Sequence, residues 1–208
     1  MYSQEEADKK HRESIGRYNR VTDFARLCYY NFMKNKKHAK VLDLGCGKGA
    51  DTIFFHNKGL DATGVDYSKE AIKQFNDTQK RYDIFIASLV HDITQGLPFE
   101  DESYDFVYSR LGLHYFDDKK TRKIISECRR VLKREGLLMF QVKSTSSKEY
   151  GVGKEVKKDI FEDETGYLRH LFSKEYTKSI LQGFNIVMLE ERKIPIGYAY
   201  LEVIAEYQ

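Results

Sequence analysis

The fold is decided by the stretch VLDLGCGKG at residues 41–49. Its apolar residues predict a short buried strand, and its glycines allow a tight turn that a ligand can approach closely. Residues 50–58 can form a helix whose free N–H groups face that turn, and residues 62–66 are typical of a second strand ending in a carboxylate. Strand, glycine turn, helix, strand and acid together predict one nucleotide-binding half of a doubly wound α/β fold.

Composition limits the class of protein. The chain has 208 residues, 41% of them hydrophobic, which is enough for one domain with a substantial core. A formal charge of +3, from 35 Lys and Arg against 32 Asp and Glu, is too small to predict a nucleic-acid or membrane surface by itself. Cys28, Cys46 and Cys128 lack metal-ligand spacing, so we expect no metal site and a reducing compartment. The charged N terminus and the lack of a long apolar run predict neither signal peptide nor membrane span, and hence a cytoplasmic protein.

Strands and helices are predicted to alternate as far as residue 143. We expect Ser68 to cap a helix over 69–81, Asp117 or Asp118 to cap one over 119–132, and Gly136 to stop the latter helix. Mixed and apolar runs predict strands over 83–89, 104–109 and 137–142. This alternation is typical of a parallel sheet with helices on both faces.

The two ends of the chain depart from that alternation. Residues 3–12 and 19–34 predict helices of an N-terminal cap. Residues 144–172 are polar and contain three glycines, which predicts a flexible covering loop. Ser173 is expected to cap a helix, and strands over 184–190 and 198–207, joined by a tight turn, must be antiparallel. The expected fold is therefore a doubly wound, seven-stranded, mostly parallel sheet with a C-terminal antiparallel hairpin and an N-terminal helical cap.

Five motifs then occur in the order and spacing of a known family. They are Asp43-x-Gly45-x-Gly47-x-Gly49, Gly64-Val65-Asp66-Tyr67-Ser68, Asp92-Ile93, Leu97-Pro98-Phe99 before Tyr104-Asp105-Phe106-Val107, and Leu113-His114-Tyr115 before Arg130-Val131-Leu132-Lys133 and Gly136. As a set they resemble class I, Rossmann-like S-adenosylmethionine-dependent methyltransferases. The end of the chain resembles small stand-alone bacterial members. The resemblance implies one methyltransferase domain, 1–208, with a cap (1–37), a cofactor-binding core (38–143), a substrate-covering loop (144–172) and a terminal helix and hairpin (173–208).

The resemblance implies S-adenosyl-L-methionine as the cofactor and S-adenosyl-L-homocysteine as the product. The candidate cofactor-binding residues are Asp43, Gly45, Cys46, Gly47, Gly49, Asp66, Tyr67, Asp92, Ile93, Ser109 and Arg110. A dinucleotide site carries G-x-G-x-x-G to receive a pyrophosphate, whereas this G-x-G-x-G turn follows a carboxylate that suits a positive methionine end. Asp66 can accept ribose hydroxyls, and by resemblance Asp92 accepts the adenine amino group. Taken singly, Asp66 or Asp92 is equally explained as a helix cap.

The remaining candidates, for catalysis and for acceptor binding, are predicted in loops or near chain ends. His114, after the fourth strand, is the candidate general base, with Tyr115 beside it; the alternative is that both only shape the pocket wall. Cys46 is interpreted as a spacer and not as a nucleophile. Candidate acceptor-binding residues are Tyr18, Tyr150 and His170.

The expected reaction is in-line methyl transfer to an oxygen, nitrogen or sulfur atom of a small molecule. The sequence Ser109-Arg110-Leu111-Gly112 stands where enzymes that methylate the amino groups of DNA bases or glutamine carry Asn-Pro-Pro-Tyr. An RNA-modifying enzyme, with lysines of 34–40 and 154–158 as phosphate contacts, is the first alternative. A non-catalytic or NAD-binding protein of the same fold is the second. We expect a monomer or homodimer without a membrane partner.

Overall fold

The computed structural model describes residues 3–13, 20–164 and 166–208. The strands are β1 (Lys40–Leu44), β2 (Asp61–Asp66), β3 (Ala87–Val90), β4 (Tyr104–Arg110), β5 (Leu132–Lys143), β6 (Lys154–Lys157), β7 (Ile160–Glu162), β8 (Leu168–His170), β9 (Phe184–Lys193) and β10 (Ala199–Tyr207). Seven of them form one sheet in the order β3-β2-β1-β4-β5-β10-β9. β10 runs in the opposite direction to the other six strands and pairs antiparallel with β5 and β9. This confirms the mostly parallel sheet and its terminal hairpin.

Helices cover both faces of the sheet. They are α1 (Gln4–Glu13), α2 (Asp23–Cys28), α3 (Ala50–Asn57), α4 (Lys69–Arg81), α5 (Asp118–Val131) and α6 (Lys174–Ile180). Alternate residues of a strand point to opposite faces. Phe106 and Tyr108 of β4 accordingly join an apolar cluster with α2, α3 and α4, whereas Val107 joins one with α5 and α6. Among the described residues, no helix combines the length and apolarity needed to cross a membrane.

Three predicted helix caps are confirmed. The side chain of Ser68 accepts a hydrogen bond from the Ala71 N–H, that of Asp117 from Lys120, and that of Ser173 from Tyr176. Each cap satisfies an N–H group that has no partner inside its helix, and so fixes where the helix begins. These starts place the helices as the sequence predicts.

Two predicted boundaries are wrong. Gly136 does not stop a helix: α5 ends at Val131, Leu132 is extended, and Gly136 lies inside β5. The reason is that pairing with β4 already begins at Leu132. The strand predicted over 83–89 begins only at Ala87, because Asp83 has a positive φ and the Gln79 side chain accepts the Ile86 N–H at 2.6 Å.

The N-terminal cap differs from its prediction in the second helix. Where 19–34 was expected to be one helix, α2 begins at Asp23 behind a Thr22 cap, and Tyr29–Met33 forms a π-helical turn. Residues 14–19, including the candidate Tyr18, lie outside the described residues.

The segment predicted as a covering loop instead contains a small sheet. β6, β7 and β8 pair antiparallel in that order. The polar composition of 144–172 hid a few apolar residues that become buried, among them Ile160, Phe161 and Leu171. Burial of these side chains supplies the driving force that a flexible loop would lack.

Candidate functional site

A cavity of about 300 Å³ opens at the carboxyl ends of β1, β2 and β4. The chain passes from β1 to β2 on one side and returns to β4 on the other, and ligands of doubly wound sheets bind at such a switch point. The predicted residues that line the cavity are Asp43, Gly45, Cys46, Gly47, Asp66, Tyr67, Asp92, Ile93, Arg110 and Tyr115. Folding therefore brings most of the predicted site to one place.

The glycine turn is required by backbone geometry and by packing. Gly45, Gly47 and Gly49 have φ values of 76°, 56° and 79°, which residues with a Cβ rarely adopt. A Cβ on Gly49 would lie 2.3 Å from Cδ2 of Phe75 in α4. Gly49 is not among the cavity-lining residues, so its role is to let the turn and α4 approach each other.

Asp66 holds the turn in place. Its carboxylate accepts the Gly47 N–H and the Ser68 N–H, both at 2.8 Å. A carboxylate has about four lone-pair sites, so a ligand can still bind to both oxygens. The same side chain therefore orders the turn and remains available to the cavity.

Asp43 is a buried acid, 2% exposed, at the other side of the turn. Thr52 donates a hydrogen bond to its Oδ2 at 2.6 Å. Burial raises the pKa of Asp43 well above its usual value, and the neighbouring Asp51 and Asp66 carboxylates act in the same direction. A bound cation would relieve this repulsion, so the site favours a ligand with positive charge here.

Asp92 combines the two roles that the sequence left open. Its Oδ1 accepts the Thr94 N–H at 2.9 Å and the Thr94 hydroxyl at 2.7 Å, which caps the 3₁₀ turn Ile93–Gln95. Asp92 and Ile93 also line the cavity. The cap and the ligand contact therefore do not exclude each other.

Ser109 and Arg110, at the end of β4, differ in whether they reach the cavity. Ser109 is 1% exposed and donates to the Leu44 carbonyl oxygen at 2.8 Å, which ties β4 to β1 behind the cavity. Ser109 itself does not line the cavity, whereas Arg110 does. Within the described residues the buried Nε of Arg110 has no hydrogen-bond partner.

Helix α1 supplies cavity residues that sequence reasoning missed. Ala7, Lys10 and His11 line the cavity. Asp8 anchors the helix, since it accepts the Ser68 hydroxyl at 2.6 Å and the Glu70 N–H at 3.0 Å. α1 is attached by polar contacts and buries only Ala7. Its sequence therefore has no apolar stripe that would predict where the helix packs.

A second missed group surrounds Asp51 in α3. Asp51 accepts the Thr22 N–H, the Thr22 hydroxyl and the Tyr108 hydroxyl, each at 2.8 Å. All three residues line the cavity. Their only signal in the sequence is an acid in the first turn of α3, which is also an ordinary helix-dipole position.

The two catalytic candidates occupy different positions. His114 is 1% exposed and does not line the cavity, and its ring lies 4.1 Å from that of Tyr115, which does. Burial lowers the pKa of His114 well below its usual value, and the positive charge of Lys143 adds to the shift. The imidazole is therefore neutral near pH 7 and lies behind Tyr115.

Of the acceptor-binding candidates, the two that the structure describes, Tyr150 and His170, do not line the cavity. Tyr150 is half exposed and donates to Asp159 at 2.8 Å. His170 is buried, with Nδ1 3.0 Å from the Phe116 carbonyl oxygen, and packs on Phe172 and Tyr176. Tyr167 of the same segment contacts the Tyr115 ring at 5.5 Å.

Comparison with known proteins agrees with this geometry. Residues 41–136 match the family model described as a methyltransferase domain. An uncharacterized methyltransferase, YcgJ, of Bacillus subtilis is 31% identical over 49% of this chain and 39% of its own length. The demethylmenaquinone methyltransferase of Thermotoga maritima is 35% identical over 49% of this chain and 42% of its own. The matches thus cover less than half the length of these curated relatives.

A solved structure extends the likeness to the whole fold. The 1,6-didemethyltoxoflavin-N1-methyltransferase of Burkholderia thailandensis, with bound 1,6-didemethyltoxoflavin and S-adenosylhomocysteine, has a TM-score of 0.80. It is 16% identical, and the match covers 99% of this chain and 87% of that one. At this identity the match shows a shared fold.

Proposed function

We propose that this chain is a class I S-adenosylmethionine-dependent methyltransferase that transfers a methyl group to a small molecule; its residues 41–136 match the methyltransferase-domain family. The observation that carries the proposal is the single cavity in which the glycine turn, Asp43, Asp66 and Asp92 meet. Bound there, S-adenosylmethionine supplies an activated methyl group on a sulfonium.

The residues present fit that cofactor. The buried Asp43 and its acidic neighbours favour the positive methionine end, and they would repel a pyrophosphate. Asp66 has lone pairs left for the ribose hydroxyls. Asp92 and Ile93, which follow β3 and line the cavity, are the residues to which we assign adenine. Tyr67 supplies an aromatic face for the base.

The chemistry is an in-line displacement. A lone pair of the acceptor atom forms the new bond to the methyl carbon while the sulfur–carbon bond breaks, and the bonding electrons pass to sulfur. Most of the acceleration then comes from holding the acceptor in line. Where the acceptor must lose a proton, His114 is the candidate base; because it does not line the cavity, it can act only through Tyr115, whose ring its own ring contacts.

The position of the cavity supports a small acceptor over RNA. The densest basic run, 34–40, precedes β1 and therefore lies at the amino ends of the strands. The cavity opens at the carboxyl ends, where α1 and Tyr115 border it. Two relatives are named for small-molecule acceptors, demethylmenaquinone and 1,6-didemethyltoxoflavin.

Transfer of label from methyl-labelled S-adenosylmethionine tests the proposal. The protein is incubated with a bacterial small-molecule extract in one arm and with total RNA in the other. We expect label in a low-mass compound and release of S-adenosylhomocysteine. Label in RNA, with association that weakens steeply as salt rises, would instead establish the RNA-modifying alternative.

A further inference from the structure

The wall of the cavity next to Tyr115 carries a cation without a carboxylate partner. Lys10 Nζ donates to the Tyr115 hydroxyl and lies 4.5 Å from the centroid of that ring and 5.3 Å from that of Tyr167. Among the described residues, no carboxylate oxygen lies within 4.0 Å of the Lys10 ammonium or of the Arg110 guanidinium. Among the described residues, Lys10, Arg20 and Arg110 thus line the cavity without a carboxylate at ion-pair distance, and Lys10 is the one that contacts Tyr115.

The surroundings of this wall are also basic. The charged groups that act on the buried His114 ring are Lys143, Lys10, Arg110 and His170. The acid closest to Lys143 is Glu149, and it is already engaged, with Lys143 at 2.6 Å and Arg169 at 3.7 Å. The carboxylates Asp117, Asp118 and Asp159 act on His170 instead. None of these carboxylates forms an ion pair with Lys10 within 4.0 Å.

A negative group is favoured at Lys10 for a physical reason. The methyl donor carries a sulfonium, and a fixed ammonium near it in a partly desolvated cavity raises the energy of the bound state. A negative group between the two positive charges converts this repulsion into attraction. Asp43 and Asp66 are on β1 and β2, and although the Asp66 carboxylate acts on His11 of α1, neither acid forms an ion pair with Lys10 within 4.0 Å. The methyl donor carries one carboxylate of its own, so Lys10→Met must leave the affinity for S-adenosylhomocysteine unchanged if Lys10 serves the acceptor.

We propose that the methyl acceptor is a planar organic anion, such as an aromatic carboxylate, whose negative group is bound by Lys10. Tyr115 and Phe116 line the cavity, and Tyr167 packs against the Tyr115 ring near the same ammonium, so this wall offers flat apolar surface. The inference rests on the proposed methyl transfer and extends it to the class of acceptor.

Matched acids and amides test it by titration calorimetry. The protein is first saturated with S-adenosylhomocysteine, which lacks the sulfonium charge and so isolates the effect of Lys10. Benzoate and salicylate are then titrated against benzamide and salicylamide. We expect each acid to bind about tenfold or more tightly than its amide, as for a charge-assisted hydrogen bond. Equal binding of acids and amides would overturn the proposal.

Variants of α1 assign the preference to one side chain. Lys10→Met should abolish the preference for acids without changing amide binding, and Lys10→Arg should retain it. Lys9→Met is the matched control, because Lys9 is 69% exposed on the same helix. An acid preference that survives Lys10→Met, or is lost equally in Lys10→Arg, contradicts the assignment.

The same titrations separate this inference from the proposed function. Failure of the unmodified protein to bind S-adenosylhomocysteine would refute the cofactor assignment itself. Binding of S-adenosylhomocysteine without any acid preference would leave methyl transfer standing and remove only the anionic acceptor.

Discussion

The two ends of the cavity are built in different ways. The cofactor end consists of β1, the glycine turn and the carboxyl end of β2, and its contacts join residues close in sequence, such as Gly47 and Asp66. Helix α1 is anchored at the cofactor end by Asp8, and the acceptor end combines its Lys10 with the loop after β4 and the segment around β8, so Lys10 meets Tyr115 across 105 positions of the chain. A short continuous segment can specify a cofactor, whereas the acceptor is specified by elements that only the fold brings together.

This division predicts that variants at the two ends affect different measurements. Changes at the acceptor end should lower turnover and leave cofactor affinity intact. Changes at the cofactor end should weaken cofactor binding or the turn that supports it.

The largest effect is expected for His114→Ala. Loss of a general base lowers turnover by about 10²- to 10⁴-fold, while affinity for S-adenosylhomocysteine should hardly change because His114 does not line the cavity. Turnover is measured with the acceptor found by label transfer, and affinity by calorimetry. His114→Gln keeps the buried volume but cannot take the proton, so it should be equally slow. If Gln restores turnover, His114 only shapes the wall behind Tyr115.

Gly49→Ala should destabilise the cofactor end. Its Cβ would lie 2.3 Å from the Phe75 ring, and the backbone has a φ of 79°, so we expect a loss of about 3 kcal/mol in the free energy of unfolding. Gly59→Ala is the control, since its φ is 86° but nothing lies within 4 Å of the added Cβ. It should cost about 1 kcal/mol in urea denaturation. Equal losses would show that the packing of the turn on α4 is unimportant.

Asp66→Asn should weaken the cofactor without unfolding the chain. The introduced amide has an NH₂ group in place of one acceptor oxygen. This donor faces the N–H of Gly47 or of Ser68, so one of these hydrogen bonds is lost, and ribose binding is weakened. We expect S-adenosylhomocysteine affinity to fall by about tenfold to a hundredfold. Asp61→Asn, exposed at the amino end of the same strand, should retain it. Comparable losses in both would contradict a role for Asp66 at the cavity.

The smallest effect concerns acid stability at the acceptor end. Burial holds the pKa values of His114 and His170 below 6.5, so the unfolded chain gains protons that the folded chain does not as the pH falls through 6.5. Each of these two histidines should lower the free energy of unfolding by about 1 kcal/mol for every pH unit below 6.5. Urea unfolding at about pH 7.5 and about pH 5.5 should show a weaker pH dependence for His114→Gln. The exposed control His38→Asn should match the parent, and an unchanged slope in His114→Gln would refute the burial effect.

The same division explains what could be predicted from the sequence. Helix caps and the glycine turn depend on local chemistry, so Ser68, Gly45 and Asp66 were correctly placed. The positions of Tyr150 and His170 away from the cavity depend on how 144–172 folds, and its polar composition concealed a sheet. Lys10 could not be identified, because nothing local distinguishes it from the other charged residues of α1.

Calorimetry with S-adenosylhomocysteine and with NAD tests the central assignment of the cavity most directly. The acidic turn predicts micromolar binding of S-adenosylhomocysteine and no detectable binding of NAD, because a pyrophosphate would add negative charge beside the three acids Asp43, Asp51 and Asp66. Micromolar binding of NAD without binding of S-adenosylhomocysteine would contradict it.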